Sequence, residues 1–83
     1  MDFLLKSEQI VIETNLASAT LCDKQIGEQL LIDIGRYQSH QDCRRLICFV
    51  YDPMGHIKNP SGLEADLSKT IGNFVVKVII VSL

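Results

Sequence analysis

Two nearly unbroken apolar runs constrain the fold of this chain more than any other feature of its sequence. The first is 44-RRLICFVY-51, in which two arginines precede apolar residues, and the second is 74-FVVKVIIV-81. Runs of this kind are typical of strands that are covered on both faces in the interior of a sheet. We therefore expect two central strands, each in contact with covering elements above and below.

The segment between these runs predicts a helical crossover. Its sequence, 52-DPMGHIKNPSGLEADLSKTIGN-73, begins with turn residues. Ser61 can cap a short helix that runs to about Thr70, with Gly72 at its end. A strand, a helix and a second strand favour a right-handed connection and parallel pairing of the two strands.

The N-terminal part of the chain predicts a β-hairpin. Residues 2–6 and 9–15 are apolar-rich and are separated by a polar pair, Ser-Glu. Ser-Glu suits a tight two-residue turn poorly, so a four-residue loop is expected. Either loop places Asp2 opposite Glu13 on the two strands, whereas a three-residue loop would place Thr14 there.

A helix is predicted after the hairpin, from a cap at Asp23 to about Ser39. Its apolar residues recur with helical spacing at Ile26, Leu30, Ile34 and Tyr37. Gln29 and Asp33 fall within the same stripe. They are either hydrogen-bonded partners on a packed helix face or the border of a functional site.

Together these elements predict an α/β (α+β) fold in the order β-β-α-β-α-β. The sheet is expected to be mixed and to contain about four strands. A chain of 83 residues is of single-domain size, so we expect residues 1–83 to form one domain.

The opposed acids of the hairpin raise a question of charge. Carboxylates directly opposite each other on an antiparallel pair have Cβ atoms about 4.5–5.5 Å apart, and such like charges destabilise the pair. Mg²⁺ would remove the conflict, because it prefers carboxylates and water as ligands. Asn15 lies two residues beyond Glu13 and so shares its face. The alternative is a solvated strand face on which Asp2 and Glu13 are unrelated.

The sequence pattern resembles the PD-(D/E)XK superfamily of nucleases, also called restriction-endonuclease-like. The residues that carry the resemblance are Asp2, Glu13 and Asn15 in the pattern D-x(10)-E-x-N, then the helix containing 28-EQLLIDIGRYQSH-40 and the strand in 45-RLICFVYDP-53. The C-terminal part, through 52-DPMGHIKNPSGLEADLS-68, is similar to that of bacterial restriction-endonuclease-like domains.

The resemblance implies a site for Mg²⁺-dependent hydrolysis of phosphodiesters. By position, Asp2 and Glu13 correspond to the metal-binding acids of the motif, and Asn15 stands where the motif has lysine. Some members also use a polar residue of the following helix, to which Gln29 or Glu28 corresponds. Lys6, on the strand face of Asp2 but near the turn, is a candidate substitute for the lost lysine.

Two departures from the superfamily pattern predict an impaired domain. Asn15 supplies no positive charge, and the helix and strand that usually precede the motif Asp have no counterpart before Asp2, which implies an N-terminally truncated core. We therefore expect a degenerate nuclease-like domain with weak or absent activity.

An alternative function is a non-enzymatic structural or interaction module. A truncated core would leave apolar surface that a homodimer, or a separate N-terminal partner, would cover. The formal net charge of −2 disfavours a general phosphate-binding surface, so a non-catalytic nucleic-acid binder is the third candidate. The three cysteines form no CxxC pair, no signal or membrane segment is recognisable, and a cytoplasmic location is expected.

Overall fold

A five-stranded mixed sheet is the scaffold of the chain, which a computed structural model describes over residues 2–82. In chain order the elements are β1 (Asp2–Leu5), β2 (Ile10–Leu16), α1 (Asp23–Gln38), β3 (Arg45–Tyr51), α2 (Pro60–Leu67), β4 (Lys69–Ile71) and β5 (Phe74–Val81). The strands lie in the sheet in the order β1-β2-β3-β5-β4. The neighbours β2, β3 and β5 are parallel, and each outer strand, β1 or β4, is antiparallel to the strand beside it.

The predicted α+β fold with a mixed sheet is therefore confirmed, and the sheet has one strand more than expected. Both apolar runs form adjacent parallel strands at the centre of the sheet. Alternate residues of β3 are fully buried: Leu46, Cys48 and Val50. The apolar stripe of α1 packs on this face of the sheet, and so does Leu67 of α2.

The opposite face of the sheet carries no helix within residues 2–82. Phe49 is 37% exposed there, and Tyr51 is 45% exposed. The expectation that the central strands are covered on both faces is therefore wrong for the part of the chain that the structure describes. The reason is that α1 and α2, which connect the parallel strands, contribute to the same core.

The hairpin has the predicted register. Asp2 pairs with Glu13, and the loop between β1 and β2 has four residues. Gln9 closes this loop with a positive φ of 58°. Its carbonyl oxygen accepts hydrogen bonds from the backbone N–H groups of Arg44 (2.8 Å) and Arg45 (3.2 Å), so the end of the loop is joined to the start of β3.

The predicted cap at Asp23 is wrong. Helix α1 starts at this residue after Cys22, which makes no side-chain capping bond. The Asp23 carboxylate instead accepts hydrogen bonds from the backbone N–H groups of Lys58 (2.7 Å) and Asn59 (3.0 Å), which hold the pKa of Asp23 below its usual value. A tertiary contact has thus taken the group that would have capped the helix.

The second helix differs from its prediction at both ends. Its cap is Asn59 rather than Ser61: Oδ1 of Asn59 accepts from the N–H of Gly62 at 3.1 Å, and Pro60 and Ser61 are the first two residues of the helix. It ends at Leu67, and residues 69–71 form β4 rather than continuing the helix to Thr70. Gly72, with φ of 57°, turns the chain from β4 into β5, because this left-handed conformation suits glycine.

Strand β4 pairs with only the first three residues of β5, and side chains accept hydrogen bonds from N–H groups farther along β5. The hydroxyl oxygen of Ser68 accepts a hydrogen bond from the N–H of Val78 at 3.0 Å. The carboxylate of Glu64 accepts one from the N–H of Ile80 at 2.7 Å. The N–H groups on the side of β5 that faces away from β3 therefore have hydrogen-bond acceptors along most of the strand.

Asp52 fixes the chain where β3 ends. It is only 2% exposed, and its two carboxylate oxygens accept hydrogen bonds from the backbone N–H groups of His56 and Ile57, each at 2.8 Å. Its own N–H donates to the carbonyl of Val81 at 2.7 Å, which ties this turn to the end of β5. The sequence alone predicts only a turn here.

Replacing Asp52 with alanine is expected to lower the free energy of unfolding by on the order of 2–3 kcal/mol, because two backbone donors lose a charged acceptor. The matched control is D66A, since Asp66 is exposed on α2. Urea unfolding monitored by circular dichroism measures both. Equal stability of D52A and D66A would show that the Asp52 turn contributes nothing.

Candidate metal centre

Polar side chains of the hairpin face helix α1 in a short row. Strand alternation places Glu13 and Asn15 on the same side of β2, and the register places Asp2 beside Glu13. Cys48 follows next in this row on β3. Asp2, Glu13 and Asn15 are therefore neighbours on the hairpin; the fourth residue proposed for the site from sequence, Gln29, lies on α1.

Helix α1 presents three polar side chains to this row at four-residue intervals: Gln29, Asp33 and Tyr37. Four helical residues rise about 6 Å, close to the spacing of alternate residues in a strand, so the helix and hairpin positions match. The Nε2 of Gln29 lies 3.5 Å from Oδ1 of Asn15, at the limit of a hydrogen bond. The Tyr37 hydroxyl donates to Oδ2 of Asp2 at 2.7 Å.

Glu13 is the buried member of the row. It is 3% exposed, and its Oε1 accepts a hydrogen bond from Nδ2 of Asn15 at 2.9 Å. Its Oε2 is buried and has no hydrogen-bond partner within residues 2–82. Burial, followed by the neighbouring Asp33 carboxyl group, raises the pKa of Glu13 from 4.5 to about 7. A proton on Glu13 removes the negative charge that burial and the neighbouring Asp33 carboxyl group disfavour.

Arg36 balances the charge at the exposed end of the row. Its Nη2 lies 3.8 Å from Oδ2 of Asp2 and 3.4 Å from Oδ1 of Asp33. Its guanidinium lies 4.8 Å from the centre of the Tyr37 ring. The hydrogen bond to the Asp2 carboxylate raises the pKa of Tyr37 to about 12, so this hydroxyl remains a donor at neutral pH.

Sequence reasoning missed Arg36. The signal that could have found it is its spacing of three residues from Asp33, which allows an ion pair on a helix. Lys6, the suggested substitute for the motif lysine, lies in the loop after β1 ends. Glu28, the alternative to Gln29, is exposed on α1.

Cys48 does not add a reactive thiol to the site. Burial raises its pKa to about 12, with a further contribution from the charge of Glu13. The thiolate, which is the form that binds metals and attacks electrophiles, is therefore disfavoured at neutral pH.

The donor set fits a hard cation that water completes. Within residues 2–82 no group of three or more histidine, cysteine or acidic side chains is arranged to hold a metal ion. The carboxyl groups of Asp2 and Glu13 are nonetheless oxygen donors of the kind that Mg²⁺ prefers, and this ion commonly keeps several waters as its other ligands. The unpartnered Oε2 of Glu13 supports this fit, because a buried carboxylate oxygen normally has a partner.

Opposed acids on a hairpin, a polar helix face above them and two parallel strands beyond are compatible with a small restriction-endonuclease-like core. A family model described as REase_DpnII-MboI matches residues 1–82. The chain therefore belongs to the DpnII-MboI restriction endonuclease family. No match is found among curated proteins or among solved structures. Neither helix in the described part of the chain is long and apolar enough to cross a membrane.

The raised pKa of Glu13 predicts an unusual dependence of stability on pH. The folded protein binds this proton more tightly than the unfolded chain, so the contribution of Glu13 is complete below pH 4.5 and is lost as the pH rises to about 7. The loss is on the order of 2–3 kcal/mol. We expect the free energy of unfolding, relative to that of E13Q, to fall across this interval.

Urea unfolding of the wild type and of E13Q at several pH values measures this difference. The comparison removes the contributions of other acids, including Asp23, whose lowered pKa acts in the opposite direction. Stability curves that stay parallel for the two proteins would contradict the burial of an ionisable Glu13.

Proposed function

We propose that this chain is a degenerate restriction-endonuclease-like domain. Its ancestor would have hydrolysed phosphodiesters of nucleic acid with Mg²⁺, and the present chain would retain weak activity or none. Membership of the restriction endonuclease family supports the reaction class. The pairing of Asp2 with the buried Glu13 is the observation that carries the proposal, since two acidic residues stand opposite each other on the hairpin.

In such a site the hairpin would supply the metal ligands, and α1 would supply residues that orient side chains of the hairpin. Asp2 and Glu13 would hold the ion, which when bound activates water and steadies the leaving oxygen. Tyr37 orients Asp2 through its hydroxyl, and Gln29 orients Asn15. The helix therefore holds the acids in place from one side.

Asn15 is the basis for proposing that activity is impaired. It occupies the motif-lysine position, and its amide binds Oε1 of Glu13 without contributing charge. A lysine there would orient water and stabilise charge on the phosphate. Loss of one such contact costs on the order of 10²- to 10³-fold in rate, by analogy with oxyanion-hole donors. Arg36 offsets the negative charge of Asp2 and Asp33 but is already engaged by both.

A non-enzymatic homo-oligomeric module is the second candidate. The observation that favours it is the sheet face without a helix, on which Leu16, Phe49 and Tyr51 are exposed. Large apolar patches of this kind mark interaction sites more often than free surface. This function would require no metal at the acidic pair.

The substitution Asn15→Lys is expected to raise nuclease activity by on the order of 10²-fold or more over the wild type. The ammonium group would stabilise the ionised form of Glu13 and would supply the positive charge that Asn15 lacks. Cleavage of plasmid DNA with Mg²⁺ or Mn²⁺ measures the effect. The matched control is N73K, because Asn73 is exposed in the β4–β5 turn.

Any activity of N15K should disappear in N15K/E13A. Strong cleavage by the wild type that depends on Glu13 would contradict the degeneracy. A folded N15K protein that is as inert as N73K would contradict the assignment of position 15 to the motif.

Mg²⁺ is expected to stabilise the wild type but not E13Q. At ten to a hundred times its dissociation constant, the ion should add ~1.4–2.7 kcal/mol to the free energy of unfolding. The gain should be larger at pH 8 than at pH 6, because the ion binds the ionised carboxylate. Thermal unfolding with Mg²⁺, and with an equal ionic strength of K⁺ as the control, measures it. Equal responses to the two salts would contradict a metal site.

A further inference from the structure

Arg36 takes part in both ion pairs that the structure shows within residues 2–82. Its Nη2 lies 3.4 Å from Oδ1 of Asp33 and 3.8 Å from Oδ2 of Asp2. The chain has eight lysine and arginine residues and ten acidic residues, yet both pairs lie at the site that contains Glu13. Arg36 is therefore the counter-ion of this site in the described part of the chain.

Helix α1 and Tyr37 hold Arg36 beside Asp2. The spacing of three residues on α1 brings Arg36 to Asp33. The guanidinium of Arg36 lies 4.8 Å from the centre of the Tyr37 ring, in a cation–π contact. The Tyr37 hydroxyl donates to Oδ2 of Asp2, the same oxygen that Nη2 of Arg36 approaches. Arg36 and Tyr37 thus act together on one carboxylate oxygen of Asp2.

A divalent cation and Arg36 would neutralise the same negative charge. An ion bound by Asp2 would lie close to the guanidinium that already contacts this carboxylate, and two cations at short range repel each other. The side chains of Arg36 and Asp2 are 60% and 40% exposed, so water screens their interaction and keeps it modest. Arg36 would therefore weaken the binding of a cation by a limited factor rather than prevent it.

We propose that Arg36 sets the affinity of the Asp2–Glu13 pair for a divalent cation, because it competes with the ion for Asp2. Since Asp2 and Glu13 are the ligands in question, the inference rests on the proposed function. Two residues would then impair the site in different ways. Asn15 withholds a positive charge from the reaction, whereas Arg36 lowers the fraction of molecules that hold the ion.

Titration with Mn²⁺ tests the competition without a nuclease assay. Electron paramagnetic resonance measures free Mn²⁺ at pH 8, where Glu13 is mostly ionised. The substitution Arg36→Gln should lower the dissociation constant by about two- to fivefold, the effect of losing one exposed ion pair. Arg36→Lys retains the charge and should bind Mn²⁺ less tightly than R36Q. Lys24→Gln is the matched control, because it removes the same charge from an exposed position at the other end of α1.

The outcomes separate the competition from the proposed metal site. Mn²⁺ binding by R36Q that is no tighter than binding by K24Q, but is lost in E13Q, would overturn the competition and leave the metal pair in place. An absence of Mn²⁺ binding by both the wild type and R36Q would overturn the competition and the metal pair together. Circular dichroism verifies that each variant is folded.

Discussion

The burial of one carboxyl group between the hairpin and α1 is the constraint on which the rest of the site depends. Glu13 sits on a strand, beneath a helix, with one oxygen bonded to Asn15 and the other without a partner in the described chain. A buried ionised group without a counter-charge is costly, so its pKa rises and it retains a proton near neutral pH. Either a proton or a metal ion would resolve the conflict, and a nuclease of the proposed kind would require the ion.

The surroundings of Glu13 favour the proton. Asn15 brings a hydrogen bond but no charge, and Arg36 directs its charge to Asp2 and Asp33. These contacts stabilise the acidic row without a metal. Asp2 and Glu13 still stand opposite each other on the hairpin. The structure thus joins family membership in the DpnII-MboI restriction endonucleases to a site whose charges are largely balanced within the chain.

The sequence predicted those parts of the fold that are determined by nearby residues along the chain. The apolar runs gave β3 and β5, and loop chemistry gave the register that opposes Asp2 to Glu13. Predictions failed where distant contacts decide. Asp23 is a good capping residue, but backbone groups 35 and 36 residues away bind its carboxylate. Gly72 suits a helix end and a hairpin turn equally, so β4 was missed. The engagement of Arg36 depends on how α1 is rotated against the hairpin, which sequence spacing alone does not determine.

The carboxyl carbon of Glu13 offers the most direct test of this account. Its ¹³C NMR resonance, followed against pH without and with Mg²⁺, reports the proton and the ion at the same atom. The account predicts a midpoint at about 7 without metal and a lower midpoint when Mg²⁺ is present. A midpoint near 4.5 that Mg²⁺ does not move would contradict it.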